Sequence, residues 1–208
     1  MATYASIKYD FTPPTATVSA QVGAGAMVLI KSLTSDGSDD TLDFKDGTSG
    51  VVMDSTYKTY IFRYMDMHPE TNNASFGVQF NASGGSGFDE TLTTTSFRAK
   101  HMEDGSGAEV GYVTGQDLQQ ATTYQILSEG IGNVATETGS GELWLFNPSS
   151  TTYLKHFINR SSGVRHNPGV QDMFYAGYIN TTSAIDEISF KFSSDEIQGG
   201  TINMYGIV

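Results

Sequence analysis

Short segments in which apolar and polar side chains alternate are the dominant pattern along this chain. Residues 76–80 and 187–192 show it most clearly, because phenylalanine, valine and isoleucine occupy every second position there. A period of two is that of a β-strand with one buried face. Apolar residues at helical spacing are nearly absent, and clusters of Gly, Asn, Asp and Ser separate most of the alternating segments. The pattern therefore predicts an all-β protein.

The clearest long strand runs from Tyr57 to His68, and Pro69 ends it. Apolar side chains are expected on both of its faces, because a strand turns successive residues to opposite sides. These are Tyr60, Phe62 and Tyr64 on one face and Ile61, Met65 and Met67 on the other. A strand of this kind lies between two layers or against a partner.

The whole pattern predicts roughly nine or ten strands, which is typical of an antiparallel β-sandwich of the jelly-roll kind. Met27 to Leu33 is predicted to be a buried strand. The secondary structure of residues 115–131 stays open between helix and strand. Their apolar spacing is near-helical, but Thr122-Thr123 and nearby glycines favour a strand after a short turn. We expect one domain over residues 27–208.

Residues 1–26 are predicted to form an extended N-terminal arm or linker, because Pro13-Pro14 is stiff and extended. The segment is either an arm that reaches a neighbouring subunit or a frayed first strand. It lacks the apolar core of a signal peptide, so we expect the protein to be made and folded in a cytoplasm.

Composition and charge disfavour several classes of function for this protein. The chain has 23 acidic against 11 basic residues, and its net charge is −12. Nucleic-acid binding and docking on anionic lipid are disfavoured, because both need a basic surface. No apolar run approaches the roughly 18 residues of a membrane span, so no membrane insertion is expected. The absence of cysteine excludes disulfides, thiolate metal sites and a cysteine nucleophile.

Motifs for catalysis are missing from the sequence. The four histidines have no compact metal-ligand spacing, and no serine lies in a Gly-x-Ser-x-Gly elbow. The glycine-rich stretches lack the lysine and the following helix of a phosphate loop. We therefore expect no enzymatic activity and no cofactor. A sandwich-fold glycan hydrolase stays open, because carboxylates from separate strands can meet without leaving a local motif.

An acidic segment is the most distinctive local feature. Six aspartates fall within residues 36–54, and Lys45 is the one basic residue among them. Oxygen-rich loops can hold Ca²⁺, and Asp36, Asp39 and Asp40 are weak candidates for such ligands. A basic docking partner and a plain solvated loop are the alternatives.

Aromatic and proline residues supply the candidates for an interface or a binding surface. Aromatic rings can stack on sugar rings or line a subunit interface, and they can equally be half-buried parts of a sheet. The candidates are Pro13, Pro14, Tyr57, Tyr60, Trp144, Tyr153, Tyr175 and Tyr205.

Several glycine-rich stretches resemble β-sandwich structural proteins from the particles of tailed, often marine, bacteriophages. The similar stretches are Tyr57–Phe62 with the His68-Pro69 strand end, the turn Gly84–Asp89, Ser140–Glu142 leading to Pro148-Ser149, Tyr153–Lys155 and the closing Gly199–Ile207. The resemblance implies a virion component of the tail, tail fibre or head surface. Such proteins are generally not enzymes, and they commonly form trimers or other symmetric assemblies.

The leading hypothesis is therefore a non-enzymatic structural protein of a phage virion. Made in the host cytoplasm, it would work as a homo-oligomer, most simply a trimer, docked to other virion proteins. The alternative is a carbohydrate-binding β-sandwich that recognises a host-surface glycan, and a glycan hydrolase is the more distant one.

Overall fold

The computed structural model describes residues 27–208, and in that range the chain forms thirteen β-strands and no helix. In chain order these are β1 Met27–Thr34, β2 Leu42–Lys45, β3 Thr59–Pro69, β4 Ala74–Ala82, β5 Leu92–Met102, β6 Ala108–Tyr112, β7 Gln119–Ala121, β8 Gln125–Ile131, β9 Gly139–Phe146, β10 Lys155–Val164, β11 Gly169–Ile179, β12 Ile185–Phe192 and β13 Ile197–Ile207. The predicted N-terminal arm, with Pro13 and Pro14, lies outside the described residues. Over residues 27–208 we find no helix that could span a membrane.

The strands form two antiparallel sheets that pack face to face. The larger has nine strands in the order β1-β13-β3-β9-β10-β11-β5-β6, with β7 also paired to β5. The smaller has the order β2-β12-β4-β8. The predicted antiparallel β-sandwich is confirmed, whereas the jelly-roll connectivity stays a prediction. Residues 115–131 contain β7 and β8, so the strand alternative was the correct one there.

The core between the sheets is aromatic, as the alternating segments predict. Phe44 and Phe190 of the smaller sheet pack against Phe62 of β3, with ring centroids 5.3 Å apart for Phe44–Phe62 and 5.6 Å for Phe62–Phe190, and Phe76 stacks on Phe190. All four side chains are buried. Packing of this kind supplies most of the stability of a sandwich of this size.

A bulge in β3 changes the predicted face of Met67. The pairing of β3 with β9 shifts between Tyr64 and Met67, and Asp66 has a φ of +54°. The extra residue turns Met67 into the core beside Tyr64 instead of outward beside Met65. The prediction that Met67 shares a face with Ile61 and Met65 was therefore wrong, whereas Ile61 and Met65 do share one.

The strand predicted as buried at Met27 to Leu33 is an edge strand. It pairs only with β13, and the side chains of Met27 and Leu29 are exposed. Its apolar pattern resembles that of a buried strand because the outward residues are apolar as well.

Candidate binding face

A row of apolar side chains crosses the outer face of the larger sheet, which is the face turned away from the smaller one. Each member lies directly opposite the next on the neighbouring strand, so the side chains are adjacent. In order from β1 to β11 the row is Leu29, Tyr205, Ile61, Trp144, Ile158 and Ala176. The sequence pattern alone predicts an outward apolar residue on each of these strands. The strand register shows that these residues form one continuous surface.

The β1 end of this face is an exposed apolar surface. Its outward apolar residues are Met27, Leu29, Ile61, Met65, Tyr205 and Ile207, and we call this set the β1 patch. Leu29 is 55% exposed, Met65 41% and Met27 39%. Ile61 is fully buried outside the sandwich core, because Trp144 and Tyr205 flank it across the strands. The patch therefore has a covered centre and an exposed rim.

The polar residues around the β1 patch give it little net charge. On the outer face of β1, β13 and β3 the residues in regular register are Ser32, Thr34, Thr59, Arg63, Thr201 and Asn203, which include no acid, and Asp66 at the β3 bulge beside Met65 is an exposed acidic residue. The Arg63 guanidinium lies 5.9 Å from the centre of the Tyr205 ring, and its Nε donates to Glu142 Oε2 at 3.2 Å. A chain with a net charge of −12 thus has a nearly neutral outer surface here.

The other half of the face forms an open groove of about 460 Å³ over β9, β10, β11 and β5. Its walls are Trp144 on one side and Phe97 with Phe174 on the other, and Ile158 and Ala176 form the floor. The Phe97 and Phe174 rings are stacked, with centroids 4.6 Å apart and planes within 5°. We call this feature the Trp144 groove.

Hydrogen bonds hold the walls of the Trp144 groove in place. The Trp144 Nε1–H donates to Glu142 Oε1 at 3.0 Å. The Arg160 guanidinium lies 4.8 Å from the centre of the Phe174 ring, and its Nε and Nη2 donate to the Asp172 carboxylate at 3.1 and 2.8 Å. This carboxylate raises the pKa of Arg160. The groove and its borders are therefore electrically neutral, because Arg160 is paired with Asp172 and Arg63 with Glu142.

The structure separates the predicted interface residues into exposed and buried sets. Trp144 and Tyr205 lie on the outer face, and Tyr153 is exposed in the loop before β10, away from the groove. Tyr57 is half-buried against Tyr60, with the rings 5.8 Å apart.

The prediction that Tyr60 and Tyr175 belong to an interface or a binding surface was wrong. Tyr60 is fully buried and Tyr175 is 2% exposed, because both point into the sandwich interior on their strands. Neither ring can stack on a ligand at the surface.

The aspartates of the acidic segment are used in turns. Asp36 Oδ1 accepts hydrogen bonds from the backbone N and the Oγ of Ser38, at 3.0 and 2.7 Å, and Asp39 Oδ2 accepts from the Asp36 backbone N at 3.0 Å. The two bonds from Ser38, that from its Oγ first, lower the pKa of Asp36. Within residues 27–208, no three His, Asp or Glu side chains come together as a metal site, and Asp36, Asp39 and Asp40 are included in that statement.

Phe97, Ile158, Arg160 and Phe174 were missed as candidates from the sequence. Each occupies an outward position of an alternating strand, which is a signal present in the sequence. The register that places Phe97 beside Phe174 joins β5 to β11, which are far apart in the chain, and a single sequence does not reveal it.

No family model, curated protein or solved structure matches this chain. The interpretation of the face therefore depends on its own geometry and chemistry.

Proposed function

We propose that this protein is a non-enzymatic structural component that self-associates through the β1 patch. The observation that supports this is an exposed apolar surface, bordered mostly by uncharged residues, on a strongly acidic chain. Monomeric soluble proteins rarely expose a large contiguous apolar patch, and such patches mark interaction sites.

A second copy is the partner that fits the charge of the patch best. The chain has a net charge of −12, so two copies repel one another in many orientations. Contact through the β1 patch avoids this repulsion and removes the exposed side chains of Met27, Leu29 and Met65 from water. Burial of apolar area contributes about 25 cal/mol per Å² before the cost of association.

The resemblance to phage β-sandwich proteins supports a place for the assembly in a virion. We propose a tail, tail-fibre or head-surface component that is made in the host cytoplasm, forms a homo-oligomer such as a trimer, and docks to other virion proteins. A jelly-roll sandwich suits this role, because its sheets supply flat faces and its loops remain free for recognition.

Light scattering on the full chain tests self-association, at low and at high salt. We expect an oligomer that persists at high salt, because apolar burial is not screened by ions. Leu29→Asp should give a monomer, since it places a charge on the most exposed apolar position of the β1 patch. Val110→Asp on β6 is the matched control and should keep the oligomer, because Val110 is exposed at the opposite edge of the same sheet.

A monomeric wild type at both salt concentrations contradicts the proposal. So does a Leu29→Asp protein that is folded, as judged by its circular dichroism, and has the mass of the wild type.

A further inference from the structure

We propose that the Trp144 groove binds a neutral sugar chain. This site lies beside the β1 patch and does not depend on self-association, because β9, β10, β11 and β5 of one copy build it completely. Its volume of about 460 Å³ is that of a small-ligand site, for which roughly 300–1,000 Å³ is usual.

Two opposed aromatic walls match the shape of sugar rings. A sugar ring presents an apolar C–H surface on its faces and hydroxyl groups around its edge, so it packs on aromatic rings while its rim stays polar. Phe97 is 47% exposed and is backed by the stacked Phe174 ring, which keeps it from collapsing onto the sheet. Trp144 is held by its hydrogen bond to Glu142. Both walls are therefore preorganised, which lowers the entropy cost of binding.

Polar groups at the groove suit hydroxyl groups. Arg160 uses Nε and Nη2 for Asp172, and its Nη1 makes no hydrogen bond to any residue that the structure describes. Thr95 and Glu142 also line the groove and have oxygens that can accept hydroxyl protons. Planar guanidinium and carboxylate groups pair well with adjacent hydroxyls, as in their bidentate contacts with one another.

The charges favour a neutral sugar over a charged one. The guanidinium of Arg160 is neutralised by Asp172 and that of Arg63 by Glu142, so no free cation awaits a phosphate, sulfate or uronate. The net charge of −12 disfavours polyanions further. The other possible occupant is a second copy of the chain, and the experiment below tests for it.

Tryptophan emission, excited at a wavelength that the tyrosines do not absorb, reports on this site, because Trp144 is the single tryptophan of the chain. The full-length protein is titrated with four neutral hexasaccharides, those of cellulose, amylose, mannan and chitin, and with heparin as a polyanionic sugar. We expect a saturable change in Trp144 emission with at least one neutral hexasaccharide and none with heparin. Phe97→Ala should raise its Kd at least tenfold, whereas Val110→Ala, at an exposed residue of the same sheet that does not line the groove, should leave it unchanged.

Three outcomes overturn the proposal. The first is no saturable response to any neutral hexasaccharide, and the second is tighter binding of heparin. The third is a folded Phe97→Ala protein that no longer forms the oligomer, because this result would mean that the groove is a contact between copies. The Leu29→Asp variant separates this site from the proposed assembly function, since it should lose the oligomer and keep the sugar response.

Discussion

At the scale of single residues, Gly141 in β9 shows how the sandwich makes room for its buried polar network. Tyr64 donates to Asn159 Oδ1 at 2.7 Å, and Asn159 and Ser161 of β10 donate to the backbone O of Leu127 in β8. A Cβ at Gly141 would lie 2.6 Å from Tyr64 Oη and 2.8 Å from the Ser161 Cα. Only a residue without a side chain leaves this link between the two sheets intact.

Gly141→Ala should therefore destabilise the protein by about 1–3 kcal/mol, the usual cost of inserting a methyl group into a packed interior. Gly111→Ala in the exposed edge strand β6 is the matched control, because a Cβ there meets nothing within 4 Å. It should change the free energy of unfolding by less than about 0.5 kcal/mol. Urea denaturation of both variants at one protein concentration measures the difference, and equal losses would contradict this account of Gly141.

At the scale of elements, alternation locates strands but not their partners. The inward and outward residues of β9 and β12 follow the pattern closely, whereas β4 is buried on both faces. The errors fall where pairing decides the outcome: β1 is an edge strand, and the bulge in β3 changes the face of Met67. The pattern also cannot show that the segment around Thr122 crosses the outer side of the smaller sheet, where Gln79 of β4 binds it.

Gln79 ties two connections to β4. Its Nε2 donates to the backbone oxygens of Glu90, Thr122 and Thr123 at 3.2, 2.9 and 3.0 Å, and the side chain is fully buried. Gln79→Met keeps the length of the side chain but leaves these carbonyls without their donor. We expect a loss of about 1–3 kcal/mol in the free energy of unfolding, the cost of unsatisfied buried polar groups.

Gln198→Met is the control for this prediction, because Gln198 lies exposed on β13. Chemical denaturation of the two variants should separate them clearly. A Gln79→Met protein as stable as the control would show that the two connections hold their positions without the amide.

At the scale of the whole molecule, fold class follows from the sequence and the binding face does not. The hairpin partners β9, β10 and β11 are neighbours in the chain, so the contact of Trp144 with Ile158 is within reach of a sequence argument. The groove and the patch also need β5 beside β11 and β13 between β1 and β3. Those pairings join distant segments through backbone hydrogen bonds that are the same for every sequence. For this reason Trp144 and Tyr205 were candidates and Phe97 was not.

The buried tyrosines make the stability of the whole sandwich sensitive to alkaline pH. Burial raises the pKa of Tyr60, Tyr64 and Tyr175 above the ordinary value of about 10. The unfolded chain therefore loses these protons first, and their contribution to stability, complete below about pH 10, falls as the pH rises towards the folded pKa values. Burial lowers the pKa of Lys155 below its ordinary value of 10.5, which acts in the opposite sense for one proton and only up to about that pH.

We therefore expect the free energy of unfolding to fall between about pH 10 and pH 11, by up to about 1.4 kcal/mol per pH unit for each buried tyrosine. Lys155 offsets part of this fall at the lower end of the range. Tyr64→Phe should be less stable at neutral pH, because Asn159 Oδ1 loses its donor, and its stability should fall less steeply with pH, by one proton. Urea denaturation of wild type and variant at several alkaline pH values measures both slopes. Two parallel slopes would mean that Tyr64 reaches solvent and ionises in the folded protein, contrary to its place between the sheets.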